Sequence, residues 1–145
     1  VLAKEAGAVF VSPLDVVLSQ HRVIQPDVFF ISEANREIIQ DRIRGVPDLA
    51  VEVISRGSWK RDRVEKKALY EQVCIAEYWI IDPRPRRRRA DFYQLGADGK
   101  YQPVPVGADG RYHSQVLPGF WIKVGWLWEE PLPKLQPTLN EIMGK

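Results

Sequence analysis

"VPDLAVEVIS", residues 46 to 55, decides how this chain folds. Leu49, Ala50, Val51, Val53 and Ile54 make a nearly continuous apolar run, bounded by Pro47 and Gly57. Such a run predicts a central strand covered on both faces. Glu52 stands in the middle of it. Removing an uncharged polar group from water without a partner costs roughly 2–7 kcal/mol, and a charge costs more. Something must therefore compensate Glu52.

Working outward, residues 58 to 74 are strongly helical and "AEYWIID" (76–82) is a second apolar strand, stopped by Pro83. A helix between two apolar strands, with strands in the majority, predicts an α/β or α+β sheet of mixed direction. Upstream, "VFVS" (9–12) and "LDVVLS" (14–19) are β-rich runs broken by Pro13. "VIQPDVFFIS" (23–32) is another, with Pro26 marking an edge, a bulge or a strand start. Residues 32–44 suit a short exposed helix or lid capped by Ser32. "ADFYQL" (90–95) is a further strand, and "FWIKVGWLW" (120–128) a late apolar run before a loosely packed tail. "GADGKY" (96–101) and "GADGRY" (107–112) echo each other, and their Asp-Gly pairs predict two hairpin tips.

At about 100° per residue, Asp62, Lys66, Leu69, Tyr70 and Val73 share one face of the helix. Arg61, Lys67 and Glu71 point away, and Lys67 is expected to be solvated. Lys66 then has two partners open to it. It can pair with Asp62 four residues earlier, for about 0.2–0.5 kcal/mol, or turn to the sheet and compensate Glu52. Asp27, which follows Pro26 and opens "VFFI", is the other acid in apolar surroundings. Asp27 and Glu52 taken singly also fit a structural ion pair or a turn.

The 145 residues suit one domain spanning 1–145. Their 45% apolar and 28% charged content is ordinary for a globular chain. A net charge of +2 is too small to demand a nucleic-acid partner, but "RPRRRR" (84–89) concentrates five of the 21 basic residues. The single Cys74 excludes an internal disulfide, and His21 and His113 make no zinc pattern. A thiol enzyme built on Cys74 lacks a suitably placed histidine. No apolar stretch reaches the roughly 18 residues of a membrane span and nothing resembles a signal peptide, so a cytoplasmic protein is expected. The chain has no initiator methionine. Its opening "VLAKEAGAVFV" reads as the end of a helix entering a strand, as if it begins partway through its domain.

Asp27, Glu52 on the next long strand, and an inward Lys66 together resemble the constellation of PD-(D/E)XK nucleases. The wording of the chain is similar to one bacterial branch, the Uma-type endonuclease family, catalogued as a domain of unknown function. The matching stretches are "VSPLDVVLSQHRVIQPDVFFIS" (11–32), "GVPDLAVEVIS" (45–55), "DRVEKKALYEQVCIAEYWIIDP" (62–83) and "LPGFWIKV" (117–124). The resemblance implies a restriction-endonuclease-like α/β fold: a mixed β-sheet flanked by helices, with additional C-terminal hairpins. It implies Asp27, Glu52 and Lys66 as the catalytic set. Ile54 occupies the place of the parent motif's lysine, and Lys66 on the following helix matches the position the family uses instead. Family members also carry a helix, a hairpin and a further acidic residue ahead of this chain's first residue.

The implied activity is metal-dependent hydrolysis of DNA phosphodiesters. Mg²⁺ (or Mn²⁺) takes one or two carboxylates plus waters, so Asp27 and Glu52 would hold it, with the Val53 carbonyl as a third ligand. Lys66 would steady the developing anion. Asp48 is a poorer candidate, since about 13 Å of extended strand separates it from Glu52. Lys60, Arg61 and Arg63, with Arg86 and Arg87 of the basic run, are candidates for DNA contact. The basic run also fits a solvated turn. Trp59 suits a base-stacking role or, preferably, the core, and Tyr70 a hydrogen bond to a ligand carboxylate. The rival is a non-catalytic nucleic-acid-binding or assembly protein on the same fold. A homodimer is expected, through an uncovered sheet edge.

Overall fold

The computed structural model describes residues 6–144. The helical turn read from the first residues lies outside the described part. Six strands form the main sheet: β1 (Gly7–Val11), β4 (Val28–Ser32), β6 (Leu49–Val53), β7 (Glu77–Asp82), β8 (Arg89–Leu95) and β9 (Tyr101–Pro103), adjacent in that order. Within this sheet only β6 and β7 pair in parallel; the other neighbours are antiparallel. The parallel pair requires a crossover, and the helix between the two apolar strands supplies it. The expected mixed sheet with a flanking helix is present.

β6 is buried along its length except at Val53, as its apolar run predicts. Its alternation sorts the core into two layers. Ala50 and Ile54, with Phe29, Ile31, Tyr78 and Ile80, face the helix. Leu49 and Val51, with Phe30, Trp79, Ile81 and Phe92, face the C-terminal segments between Val104 and Trp128. Two small sheets complete the fold: β2 (Val16–Ser19) between β3 (Arg22–Ile24) and β5 (Ile43–Arg44), and the pair β10 (Arg111–His113) with β11 (Trp121–Lys123).

Several local expectations change in the folded chain. Pro26 splits the run 23–32 into β3 and β4, because its ring removes the N–H that a continuous strand would need there. Residues 33–38 form a 3₁₀ helix to which Ser32 gives no side-chain cap, and the chain then returns as β5. Both Asp-Gly turns form, each with its second glycine at positive φ, Gly99 at 76° and Gly110 at 78°. The first joins the paired strands β8 and β9. The second does not close a hairpin, since β10 after it pairs with β11 rather than with β9. The tail folds as α2 (Leu135–Ile142), which buries none of its residues.

The helix runs from Trp59 to Gln72. Its second turn, Arg61–Glu65, is a π turn, followed by the α-helical part α1 (Lys66–Gln72). Wider turns of this kind are frequent at functional sites. Here the Asp62 side chain turns to Lys66 on the same helix, while its neighbour Arg63 reaches Asp82 and Asp91 on the sheet. Lys67 and Glu71 do not point away as the regular period predicts. Lys67 lies over the Tyr93 ring, 4.5 Å from its centroid, and Glu71 accepts the Tyr101 N–H at 2.7 Å. Among the described residues no helix is long and apolar enough to cross a membrane.

Candidate active site

Glu52 is fully buried on the helix-facing side of β6. Both its oxygens are engaged from the helix: Lys66 Nζ donates to Oε1 at 3.0 Å and the Tyr70 hydroxyl to Oε2 at 2.6 Å. Lys66 and Tyr70 are four residues apart and so share one stripe. One turn earlier Asp62, also buried, places Oδ1 3.1 Å from the same ammonium. The two readings of Lys66 are therefore both satisfied, because one ammonium sits between two carboxylates. Ser58 Oγ lies 3.0 Å from Asp62 Oδ2, and the Tyr78 hydroxyl donates to the Asp62 carbonyl at 2.7 Å.

Asp27 comes to the same place from the neighbouring strand. Val28 pairs with Val51 and Phe29 with Ala50, so continuing the register by one residue sets Asp27 across from Glu52. Asp27 Oδ2 accepts the Val53 N–H at 2.7 Å, which ties the start of β4 to the end of β6. Val53 itself is 42% exposed, where the site opens to solvent. Asp48 is occupied elsewhere, its Oδ2 accepting the Ser32 N–H at 2.7 Å.

Burial pushes the Glu52 carboxyl up to about 7, against the pull of the Tyr70 hydrogen bond and the Lys66 charge, with Asp27 adding to the rise. Burial alone would lower Lys66; the Glu52 and Asp62 carboxylates outweigh it and hold the ammonium above its usual pKa. The Tyr70 hydroxyl is pushed up by burial and by Glu52, so it stays a donor. Two acids, Glu52 and Asp62, thus share one ammonium, and a third, Asp27, lies across from Glu52. That excess of negative charge, with Asp62 Oδ1 lacking a properly aligned hydrogen bond, fits a divalent cation. Among the described residues no three His, Cys, Asp or Glu side chains converge as a ready-made metal cage. Two carboxylates completed by water are what Mg²⁺ prefers.

The surrounding cations divide by geometry. Lys60, Arg61, Arg86 and Arg87 are exposed. Arg63 is not available as an outward contact: it forms a salt bridge with Asp91 and lies 3.8 Å from Asp82, because the π turn aims it at β7 and β8. Arg84 and Arg89 close the basic run at both ends through Asp82 and Asp91. Trp59, expected in the core, is 48% exposed.

Glu77 went unnoticed in the sequence although it interrupts an apolar strand just as Glu52 does. It is fully buried and forms no salt bridge among the described residues. Instead Trp79 Nε1, the Tyr112 hydroxyl, Ser114 Oγ and the Gln115 and Val116 N–H groups all donate to it, at 2.7–3.0 Å. It pins the C-terminal segment to the sheet.

A mixed sheet with a crossover helix between β6 and β7, and with Asp27 just before β4 set across from Glu52 of β6, has the architecture of a restriction-endonuclease-like α/β domain. Residues 1–125 match the Uma2 family, described as "Putative restriction endonuclease", and the chain belongs to that family. A solved structure from Anabaena variabilis, described as a "putative nuclease belonging to DUF820", shares the fold. Its TM-score is 0.65 at 13% identity, over 87% of this chain and 70% of that one. No curated protein matches the chain significantly.

Proposed function

We propose that this protein is a cytoplasmic, metal-dependent endonuclease of the PD-(D/E)XK class that hydrolyses DNA phosphodiester bonds. The observation that carries the reading is the fully buried Glu52, gripped by Lys66 and Tyr70 and facing Asp27 across β4 and β6. A buried acid with a titratable partner beside an open strand end is more costly than a core needs, and groups of this kind cluster at functional sites.

Asp27 and Glu52 would hold Mg²⁺ or Mn²⁺, with the Val53 carbonyl beside them. The chemistry such an ion supplies when bound is Lewis acidity at a phosphoryl oxygen and activation of water near neutral pH. Tyr70 fixes the Glu52 carboxyl in one orientation. Lys66, kept protonated by its two carboxylates, would offer positive charge to steady the developing anion. Lys60, Arg61, Arg86 and Arg87 draw in the phosphate backbone, which arginine forks match well. A two-fold dimer suits the cutting of two strands. Its contact would be β1, which has one strand neighbour among the described residues and where Val9 and Val11 are each 65% exposed.

The test is calorimetric titration of Mg²⁺ and Mn²⁺ together with cleavage of supercoiled plasmid. A metal site lost in Glu52→Gln and cleavage lost in Lys66→Ala are expected. DNA binding without any metal response, unaffected by Glu52→Gln, would favour the non-catalytic binding protein.

A further inference from the structure

Between the end of β6 and the helix, the chain turns through Ser55–Ser58 and presents Trp59 to solvent. The turn is held firmly. Ser58 Oγ accepts the Ser55 N–H at 2.9 Å, the Ser58 N–H donates to the Ser55 carbonyl at 3.1 Å, and Gly57 takes a φ of 94°. A side chain would strain that conformation. Trp59 belongs to neither core cluster and meets no other aromatic ring among the described residues. Arg56, Lys60 and Arg61 surround it in sequence. All three are exposed, and none has a carboxylate partner among the described residues, whereas Arg63 two positions on has two. Burying a large aromatic side chain contributes more than burying most residues, and at Trp59, 48% exposed, about half of that gain is forgone.

An exposed ring among unpaired cations is the chemistry that holds an unpaired nucleotide: the ring takes the base face and the cations take the phosphates. In paired DNA the base faces are covered by their stacked neighbours, so the ring would have nothing to stack on. The position suits the site as well. Trp59 precedes Lys66 by seven residues, about 10 Å along the helix at roughly 1.5 Å per residue.

We infer that Trp59 is a base-stacking platform flanked by Arg56, Lys60 and Arg61, and that the substrate is held at an unpaired stretch of strand beside Glu52. This rests on the nucleic-acid reading above and narrows it to a substrate class.

The test is fluorescence anisotropy in chelator, with a short labelled oligothymidine and a duplex of the same length. Wild type, Trp59→Ala, Trp59→Phe and the Arg56/Lys60/Arg61 triple alanine variant are compared, each checked by circular dichroism. Trp59→Ala is expected to weaken single-strand binding about tenfold, the scale of one stacked base. Trp59→Phe should recover most of it, and duplex affinity should stay within about twofold. The triple variant should flatten the salt dependence, and Trp59→Ala should leave it unchanged. Equal losses on both ligands, or no loss on the single strand, overturn the inference. Metal-dependent cleavage that needs Glu52, alongside wild-type oligothymidine binding by Trp59→Ala, removes this inference and leaves the nuclease reading standing. The Trp59 signature without any metal response removes the nuclease reading and leaves this one.

Discussion

Replacing Glu52 with glutamine isolates the electrostatics of the site. Burial moves the Glu52 carboxyl from its ordinary 4.5 to about 7. Because the folded value is raised, the stability that goes with the protonated form is complete below about 4.5. It drains away as pH rises to about 7, and the loss is then constant. At about 1.4 kcal/mol per pH unit, ionised Glu52 costs the metal-free protein about 3 kcal/mol at pH 8. Glutamine has the size of the protonated acid and does not titrate. Its amide can satisfy only one of the two donors, Lys66 or Tyr70, which gives back about 1 kcal/mol. Lys66 is not stranded by the change, since Asp62 Oδ1 remains 3.1 Å away and the lysine keeps 27% exposure. The variant should therefore be more stable than wild type by about 2 kcal/mol at pH 8 in chelator, some 4–8 °C in Tm for a chain of this size. Near pH 4, where wild-type Glu52 is protonated, only the lost hydrogen bond remains and the variant should be about 1 kcal/mol less stable than wild type, so the two stability curves cross between pH 4 and 8. Added Mg²⁺ should raise the Tm of wild type alone. Thermal melts followed by circular dichroism at both pH values, with EDTA and with Mg²⁺, read all of this. A variant that melts several degrees below wild type in EDTA at pH 8, with its Mg²⁺ response intact, would mean that Glu52 serves only to pair Lys66.

Lys66→Ala should act in the opposite direction. It leaves Glu52 and Asp62 buried without a cation, and chemical denaturation at pH 8 should show a loss of about 3–5 kcal/mol that shrinks as pH falls. Glu77→Gln should cost about 3 kcal/mol or more, because five donors converge on a group that would then offer one oxygen. Its Mg²⁺ response should match wild type, which separates an anchoring acid from one that holds a metal. Val9→Lys combined with Val11→Lys should turn the expected dimer into a monomer in sedimentation without lowering Tm, since both side chains are largely exposed on β1, the terminal strand of the described sheet.

The parts legible in the sequence are those governed by short-range periodicity. The apolar run 49–54 marked β6 as covered on both faces, and that burial made Glu52 conspicuous. The helical stripe of Asp62, Lys66 and Tyr70 placed all three on the side that meets Glu52, since residues four apart share a face wherever the helix packs. The Asp-Gly turns were legible for the same reason: positive φ is a local demand.

Identical local signals meant different things wherever the partner was distant. Glu77 interrupts its strand as Glu52 does, yet its partners include donors 35 to 39 residues further along the chain, which only the packing of the C-terminal segment brings together. Arg63 resembled a solvent-facing cation until the π turn swung it onto Asp82 and Asp91. Trp59 is the kind of side chain a core takes, yet it lies outside both core clusters at the exposed start of the helix. Periodicity states which face a residue occupies; whether another part of the chain covers that face is decided only by the tertiary fold, because burial depends on contacts that no local window contains.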